Sequence, residues 1–180
     1  MSDFRIKTYV LGGVSTNCYL VFREGEKTAV IIDPADNADY LKNKCREFGV
    51  KPEAVLLTHA HFDHMLAADD IRKAYGCKVY VHMDDERMLN DPFLNLSGTM
   101  GTEQTGISAD HLLRDGDSAE IPCLRSLWDG RIFRPEACLP LFIPSQRSFW
   151  CCRMISWSIR DMVMPLPLVM RSSIIRWQLM

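Results

Sequence analysis

The fold turns on residues 54–64, Ala54-Val55-Leu56-Leu57-Thr58-His59-Ala60-His61-Phe62-Asp63-His64. Residues 54–57 form a short apolar run that reads as a buried strand. Residues 66–75, with Leu66, Ala67, Ile71 and Ala74 facing inward, read as a helix ended by Gly76. The histidines therefore fall on the turn between a parallel strand and a helix. In open α/β sheets, ligands collect at such carboxyl ends. Three of the five histidines lie within six residues here, with Asp63 among them. Imidazole and carboxylate together suit zinc, and also iron or manganese. His59 and His61, two apart in an extended turn, leave on one side and can grip one ion. Asp63 and His64 follow as the chain bends and point toward a neighbouring position. Four donors so close can serve two metals, which sit roughly 3.5–4 Å apart in two-metal sites. The plainer alternative is a polar turn whose histidines cap a helix.

Upstream, residues 7–11 and 17–22 read as strands separated by the Gly12-Gly13 break, and residues 28–32 as a third, more buried strand. Together they make an antiparallel opening sheet, ended by Asp33-Pro34 because Pro34 lacks an amide donor. Asn37 can cap a helix over residues 38–48, whose Leu41, Cys45 and Phe48 make one apolar stripe, and Gly49 is placed to stop it. Downstream, residues 78–81 form another strand and residues 84–90 a short helix. The β-α-β-α-β order calls for a parallel sheet with right-handed crossovers. His82, at a strand end, reads as structural, and His111 as structural or exposed. Residues 91–106, rich in Gly, Thr, Ser and Asn, read as a long loop. Such a loop either lines a substrate cleft or is a plain surface connection. Residues 112–121 suggest one more hairpin.

Thr58 to His64 resembles the signature of the metallo-β-lactamase fold hydrolases. Residues 12–21, Gly-Gly-Val-Ser-Thr-Asn-Cys-Tyr-Leu-Val, resemble the first hairpin of the glyoxalase II-like (hydroxyacylglutathione hydrolase-like) branch. So do Ala29-Val30-Ile31-Ile32-Asp33-Pro34, the stretch from Asp91 to Ser97, and Asp115-Gly116-Asp117. The resemblance covers residues 1–122. It implies an α/β fold, the metallo-β-lactamase-like αββα sandwich, with its first half present and its C-terminal half atypical or disrupted. It implies His59, His61, Asp63 and His64 as metal ligands, with Asp63 also orienting the nucleophile. It places Asp33 near the site as an outer-shell candidate, against simple helix or turn capping. An intact relative is expected to hold two zinc ions, with iron or manganese as alternatives. The substrate class implied is a small thioester such as a hydroxyacyl-thiol conjugate. β-Lactam and phosphodiester substrates fit the hairpin and loop less well.

At 180 residues the chain is one domain by expectation. A net charge of −2 gives no argument for a nucleic-acid or membrane partner. The first residues lack the apolar core of a secretory signal, and no stretch reaches the roughly 20 apolar residues of a membrane span. Seven cysteines with no C-x-x-C pair read as free thiols, Cys18, Cys45 and Cys77 being buried ones, and suggest a reducing, cytoplasmic setting.

After Cys123 the composition changes. Residues 124–180 hold no His, Lys, Thr, Asn or Tyr, but all four tryptophans. Eight arginines face three acids there, a net +5, while residues 1–123 hold 13 basic and 20 acidic residues, a net −7. The resembled family expects two further histidines and a bridging Asp in this region. No histidine follows His111, and neither Asp129 nor Asp161 sits in a fitting context. Residues 123–180 are thus expected to be an anomalous segment, the product of a reading-frame change, with a divergent natural segment as the rival reading. With two protein ligands at the first site where catalytic zinc usually has three, low or absent turnover is expected. A non-catalytic partial metal-binding domain is the second function class, and an iron-dependent sulfur dioxygenase on the same fold the lesser alternative.

Overall fold

The structure is a computed structural model that describes residues 4–101 and 106–114. Its centre is a six-stranded sheet in chain order. β1 (Phe4–Leu11), β2 (Thr16–Arg23) and β3 (Thr28–Ile32) pair antiparallel. β4 (Lys51–Leu56), β5 (Lys78–His82) and β6 (His111–Leu113) continue it in parallel from β3. Alternate side chains of the strands serve two apolar clusters. Cys18, Leu20, Ala29, Ile31, Val55, Val79 and Val81 point to one, and Tyr19, Val21, Val30, Ile32, Leu56 and Tyr80 to the other. Burial on both faces explains why the inner strands read as near-continuous apolar runs.

The first cluster is closed by helices α1 (Ala38–Phe48) and α3 (Ala68–Tyr75), through Leu41, Cys45, Ala68 and Ile71. The caps of α1 are local and chemical. Asn37 Oδ1 accepts from the Tyr40 amide at 3.0 Å, and Gly49 turns left-handed with φ 66° so that its amide reaches Arg46 O. Among the described residues, the second cluster is made of strand residues alone.

β4 begins three residues before the expected run at 54, in spite of Pro52. Its edge amide, Lys51 N, bonds Lys27 O at 2.7 Å, and the register slips where Ala29 faces Pro52 and Val30 faces Ala54. The proline cannot donate to the ladder, and the irregularity absorbs the loss. The helix expected over residues 66–75 is α3, which starts at Ala68, and a separate short helix, α2 (Phe62–Met65), precedes it. The Ala67 amide bonds Pro34 O at 3.0 Å instead of continuing the helical ladder, and α3 restarts with Ile71 N on Ala67 O. His82 lies inside β5 rather than after it, and a 3₁₀ helix runs over Met83–Asn90.

The expected loop from residue 91 holds a single helical turn, α4 (Ser97–Met100). Asp91 Oδ1 accepts from Phe93 N and Leu94 N, and the fully buried Asn95 ties the segment inward. Residues 112 and 113 join β6 in parallel with β5. The rest of the hairpin expected through 121, and the whole anomalous segment 123–180, lie outside the described residues. Cys18, Cys45 and Cys77 are buried free thiols. No helix among the described residues is long and apolar enough to cross a membrane.

Candidate metal centre

The corner between β4 and α2 gathers His59, His61, Asp63 and His64. His59 Nε2 lies 3.0 Å from His61 Nδ1, and the rings of His59 and His64 are tilted by 52° with centroids 3.9 Å apart. His64 Nε2 is 3.5 Å from Asp63 Oδ2. The contacts run as a chain from His61 to His59 to His64 to Asp63. The corner is held from outside as well: Phe62 N donates to Asn95 O at 3.0 Å, which ties the segment after β5 to the histidine turn.

Asp33 stands behind this group and is 3% exposed. It sits at the end of β3 with φ 49°, a left-handed conformation that Asp tolerates better than most residues. Its Oδ1 accepts from Thr58 N at 2.7 Å, and its Oδ2 accepts from Thr58 Oγ1 at 2.6 Å. The same Oδ2 lies 2.9 Å from His64 Nδ1. A hydroxyl has one proton, and Thr58 gives it to Asp33. Toward His59 Nδ1, 3.1 Å away, Thr58 can then only accept, so that nitrogen carries the hydrogen. His59 Nε2 is left to present its lone pair toward His61. One carboxylate thus lies against two rings: His64 by an ion-pair contact, and His59 through Thr58. His59 Nε2 then faces His61 and His64 Nε2 faces Asp63, and a carboxylate or its relay behind the other nitrogen is what metal-ligating histidines have.

For His59 and His61 the electrostatics favour the neutral ring. Burial first, then the neighbouring imidazoles of His64 and His61, push His59 down to about 3, so it is neutral at physiological pH. Burial also lowers His61, against the pull of Asp63. For His64, burial pulls down, but the Asp33 carboxylate and then Asp63 more than offset it, and the net shift is upward. Neutral imidazole with an available lone pair is the form that binds metal.

The donor chemistry fits a cation. Two nitrogens around a tetrahedral zinc at about 2.0–2.1 Å are roughly 3.3 Å apart, close to the His59–His61 separation. Among the described residues no group of three or more His, Cys, Asp or Glu side chains is already set as a metal cage. The donors converge as pairs, His59 with His61 and His64 with Asp63.

The remaining histidines stand elsewhere. His82 Nδ1 accepts from Asp84 N at 3.3 Å, and the exposed His111 stacks on Tyr80 with centroids 4.8 Å apart. Two residues acquire site contacts that the sequence reading did not assign. Thr58 was inside the deciding stretch, but its relay appears only once β3 and β4 lie side by side. Thr16 Oγ1 donates to Asp63 Oδ2 from the start of β2, and nothing local to Thr16 announces it.

Residues 11–128 match the family model of the metallo-beta-lactamase superfamily, well over half of the chain. The chain belongs to the metallo-β-lactamase superfamily. Its α/β fold is accordingly the metallo-β-lactamase fold, of which the six-stranded sheet and its helices are the described part. It is 37% identical over 108 residues to the probable metallo-hydrolase YqgX of Bacillus subtilis, covering 59% of this chain and 50% of that protein. The crystal structure of the B3 metallo-β-lactamase BLEG-1 superposes with a TM-score of 0.58 at 36% identity, over 66% of this chain and 57% of that one. TTHA1623, solved in a di-iron-bound form, gives a TM-score of 0.54 at 30% identity, over 63% of this chain and 56% of that one. The chain spans about half the length of the curated relatives it matches.

Proposed function

We propose that this chain carries the first half of a metal-dependent thioester hydrolase site, with His59, His61, Asp63 and His64 as the protein donors. The observation that carries the reading is the buried Asp33 carboxylate, which lies 2.9 Å from His64 Nδ1 and reaches His59 through the Thr58 hydroxyl. A merely capping set of histidines has no need of that buried brace. Divalent cations seated there supply a hydroxide-like nucleophile near neutral pH and polarise a carbonyl. His59 and His61 hold neutral lone pairs toward the first seat. Asp63 and His64 would serve the second, and Asp63 would be placed to accept a hydrogen bond from the nucleophile there. Asp33 and Thr58 keep the rings from rotating.

The thioester class is supported by the hairpin and loop resemblance. It is also supported by 33% identity over 73 residues to the hydroxyacylglutathione hydrolase GloC of Haemophilus influenzae, 41% of this chain and 34% of that protein. Zinc is the expected metal, and the di-iron form of TTHA1623 keeps iron in view. The substrate is a small molecule, and a reducing, cytoplasmic setting is proposed from the free buried thiols. Turnover is proposed to be weak. No histidine follows His111 in the sequence, so the first seat has two histidines from this chain where catalytic zinc usually has three protein ligands.

The test is elemental analysis of the purified chain after zinc or iron loading, with parallel assays on a hydroxyacyl-glutathione thioester and a β-lactam. Metal uptake with thioester turnover far below the enzyme median of about 10 s⁻¹ is expected. Absence of any bound metal defeats the site assignment. Hydrolysis of the β-lactam in place of the thioester overturns the substrate class, and two metals per chain with ordinary turnover would falsify the proposed weakness.

A further inference from the structure

We propose that Thr16 is a positioning residue for Asp63, fixing the carboxylate so that it does not collapse onto His64. The proposal rests on the metal-site reading above. Thr16 opens β2 and is 8% exposed, and its backbone is pinned twice. It pairs with Leu11 in the β1–β2 register, and the turn before it is closed by Ser15 N on Gly12 O at 3.3 Å. From that fixed point its hydroxyl donates to Asp63 Oδ2.

Asp63 needs such a holder. It lies in α2, a single turn of four residues with no side-chain cap, which constrains a carboxylate little. Its other close neighbour is His64, whose Nε2 lies 3.5 Å from the same Oδ2 that Thr16 occupies. Two groups thus converge on one oxygen. While the Thr16 hydroxyl supplies its hydrogen bond, that oxygen is satisfied and the imidazole nitrogen keeps its direction. Without the hydroxyl, the hydrogen bond to Oδ2 can be supplied by His64 in the tautomer that carries its hydrogen on Nε2, the nitrogen whose lone pair the site needs. Carboxylate and imidazole then satisfy each other, and neither faces a cation. The first hairpin therefore does more than extend the sheet: its inner end sets the aim of a donor that follows the parallel crossover from β3 to β4.

The experiment compares the full chain with Thr16→Val, which keeps the shape and removes the hydroxyl, and Thr16→Ser, which restores it. Zinc and cobalt affinities are read by competition with a chromophoric chelator and by the cobalt absorption spectrum. A double-mutant cycle joins Thr16→Val to Asp63→Ala and reads thermal unfolding of the metal-free chains, so it needs neither metal nor activity. Thr16→Val is expected to weaken metal binding roughly 10- to 100-fold, as loss of a partner behind a ligand generally does, with Thr16→Ser close to wild type. In the cycle, the loss caused by Thr16→Val should largely vanish once Asp63 is gone. Additive effects, or a Thr16→Val chain that binds metal like wild type, overturn the proposal. So does failure of Thr16→Ser to restore binding. If the wild-type chain takes up no cation, the functional reading falls by itself. The cycle then decides whether Thr16 positions Asp63: coupling upholds it and additivity overturns it.

Discussion

Asp33 Oδ2 lies 2.9 Å from His64 Nδ1, joining the end of β3 to helix α2 beneath the histidine turn. The pair gives a sharp test in Asp33→Asn, which keeps the size and tolerates the left-handed backbone at this position. The amide nitrogen then faces either the Thr58 backbone amide or, in place of Oδ2, the Thr58 hydroxyl and His64 Nδ1 together. In the second orientation His64 is driven toward the opposite tautomer, with the hydrogen on Nε2. Zinc affinity is expected to drop roughly 10- to 100-fold. A chelator-competition titration measures it, and affinity equal to wild type would mean that Asp33 is a structural residue only.

His59→Gln and His111→Gln separate the corner from the rest of the molecule. His59 sits within 3.0 Å of His61, whereas His111 is exposed against Tyr80. The first substitution should reduce bound metal per chain as measured by elemental analysis, and the second should leave it unchanged. Equal losses would place the metal seat elsewhere.

Ile71 is fully buried and ties α3 to the sheet. Ile71→Ala is expected to cost about 2–5 kcal/mol, the range for emptying a buried aliphatic position. Urea unfolding measures this, and a loss well under 1 kcal/mol would show that α3 is not docked as described.

Stability should fall at alkaline pH. Burial pushes the Cys45 thiol from 9.0 up to about 11, and burial also pushes up Cys18 and Cys77. In the unfolded chain these thiols ionise near the ordinary value. Between about pH 9 and 11 the folded chain therefore holds more protons than the unfolded chain, and unfolding becomes easier as pH rises. The stabilisation is fully present below pH 9 and is lost through about 11 for Cys45. Melting temperatures taken from pH 7 to 10.5 should decline at the upper end. Alkylation mapped by peptide mass should mark these three cysteines only slowly at pH 8. A flat melting profile with rapid labelling would contradict the buried, protonated state.

The composition break at Cys123 has a direct test in the coding DNA across codons 115–130. A shifted frame downstream is expected to encode Pro-Gly-His-Thr-like and Ser-Gly-Asp-like segments. If no frame does, the tail is the gene's own sequence and the frame-change reading is wrong.

What the sequence made legible was what local chemistry decides. Asn37 and Gly49 bracket α1 within their own neighbourhood, so its bounds were readable. The four candidate donors are nearly contiguous, so a turn alone brings them together. The start of β4 was not readable, because Pro52 argues against a strand and only pairing with β3 overrules it. The break between α2 and α3 depends on the Pro34 carbonyl taking the Ala67 amide, a partner remote in the chain. Thr16 stayed hidden for the same reason, since a threonine at a strand start carries no mark of the carboxylate it will meet. Asp33 was suspected by resemblance, but its hold on two rings at once needed the parallel placement of β3 and β4.

Every side chain that braces the corner is made before the groups it braces. Thr16 precedes Asp63, Asp33 precedes His64, and Thr58 precedes His59. A ribosome delivering this chain lays down the scaffold first and the imidazoles after it. The Asn95 carbonyl that holds Phe62 N arrives later, so the corner closes fully once the segment after β5 has been made.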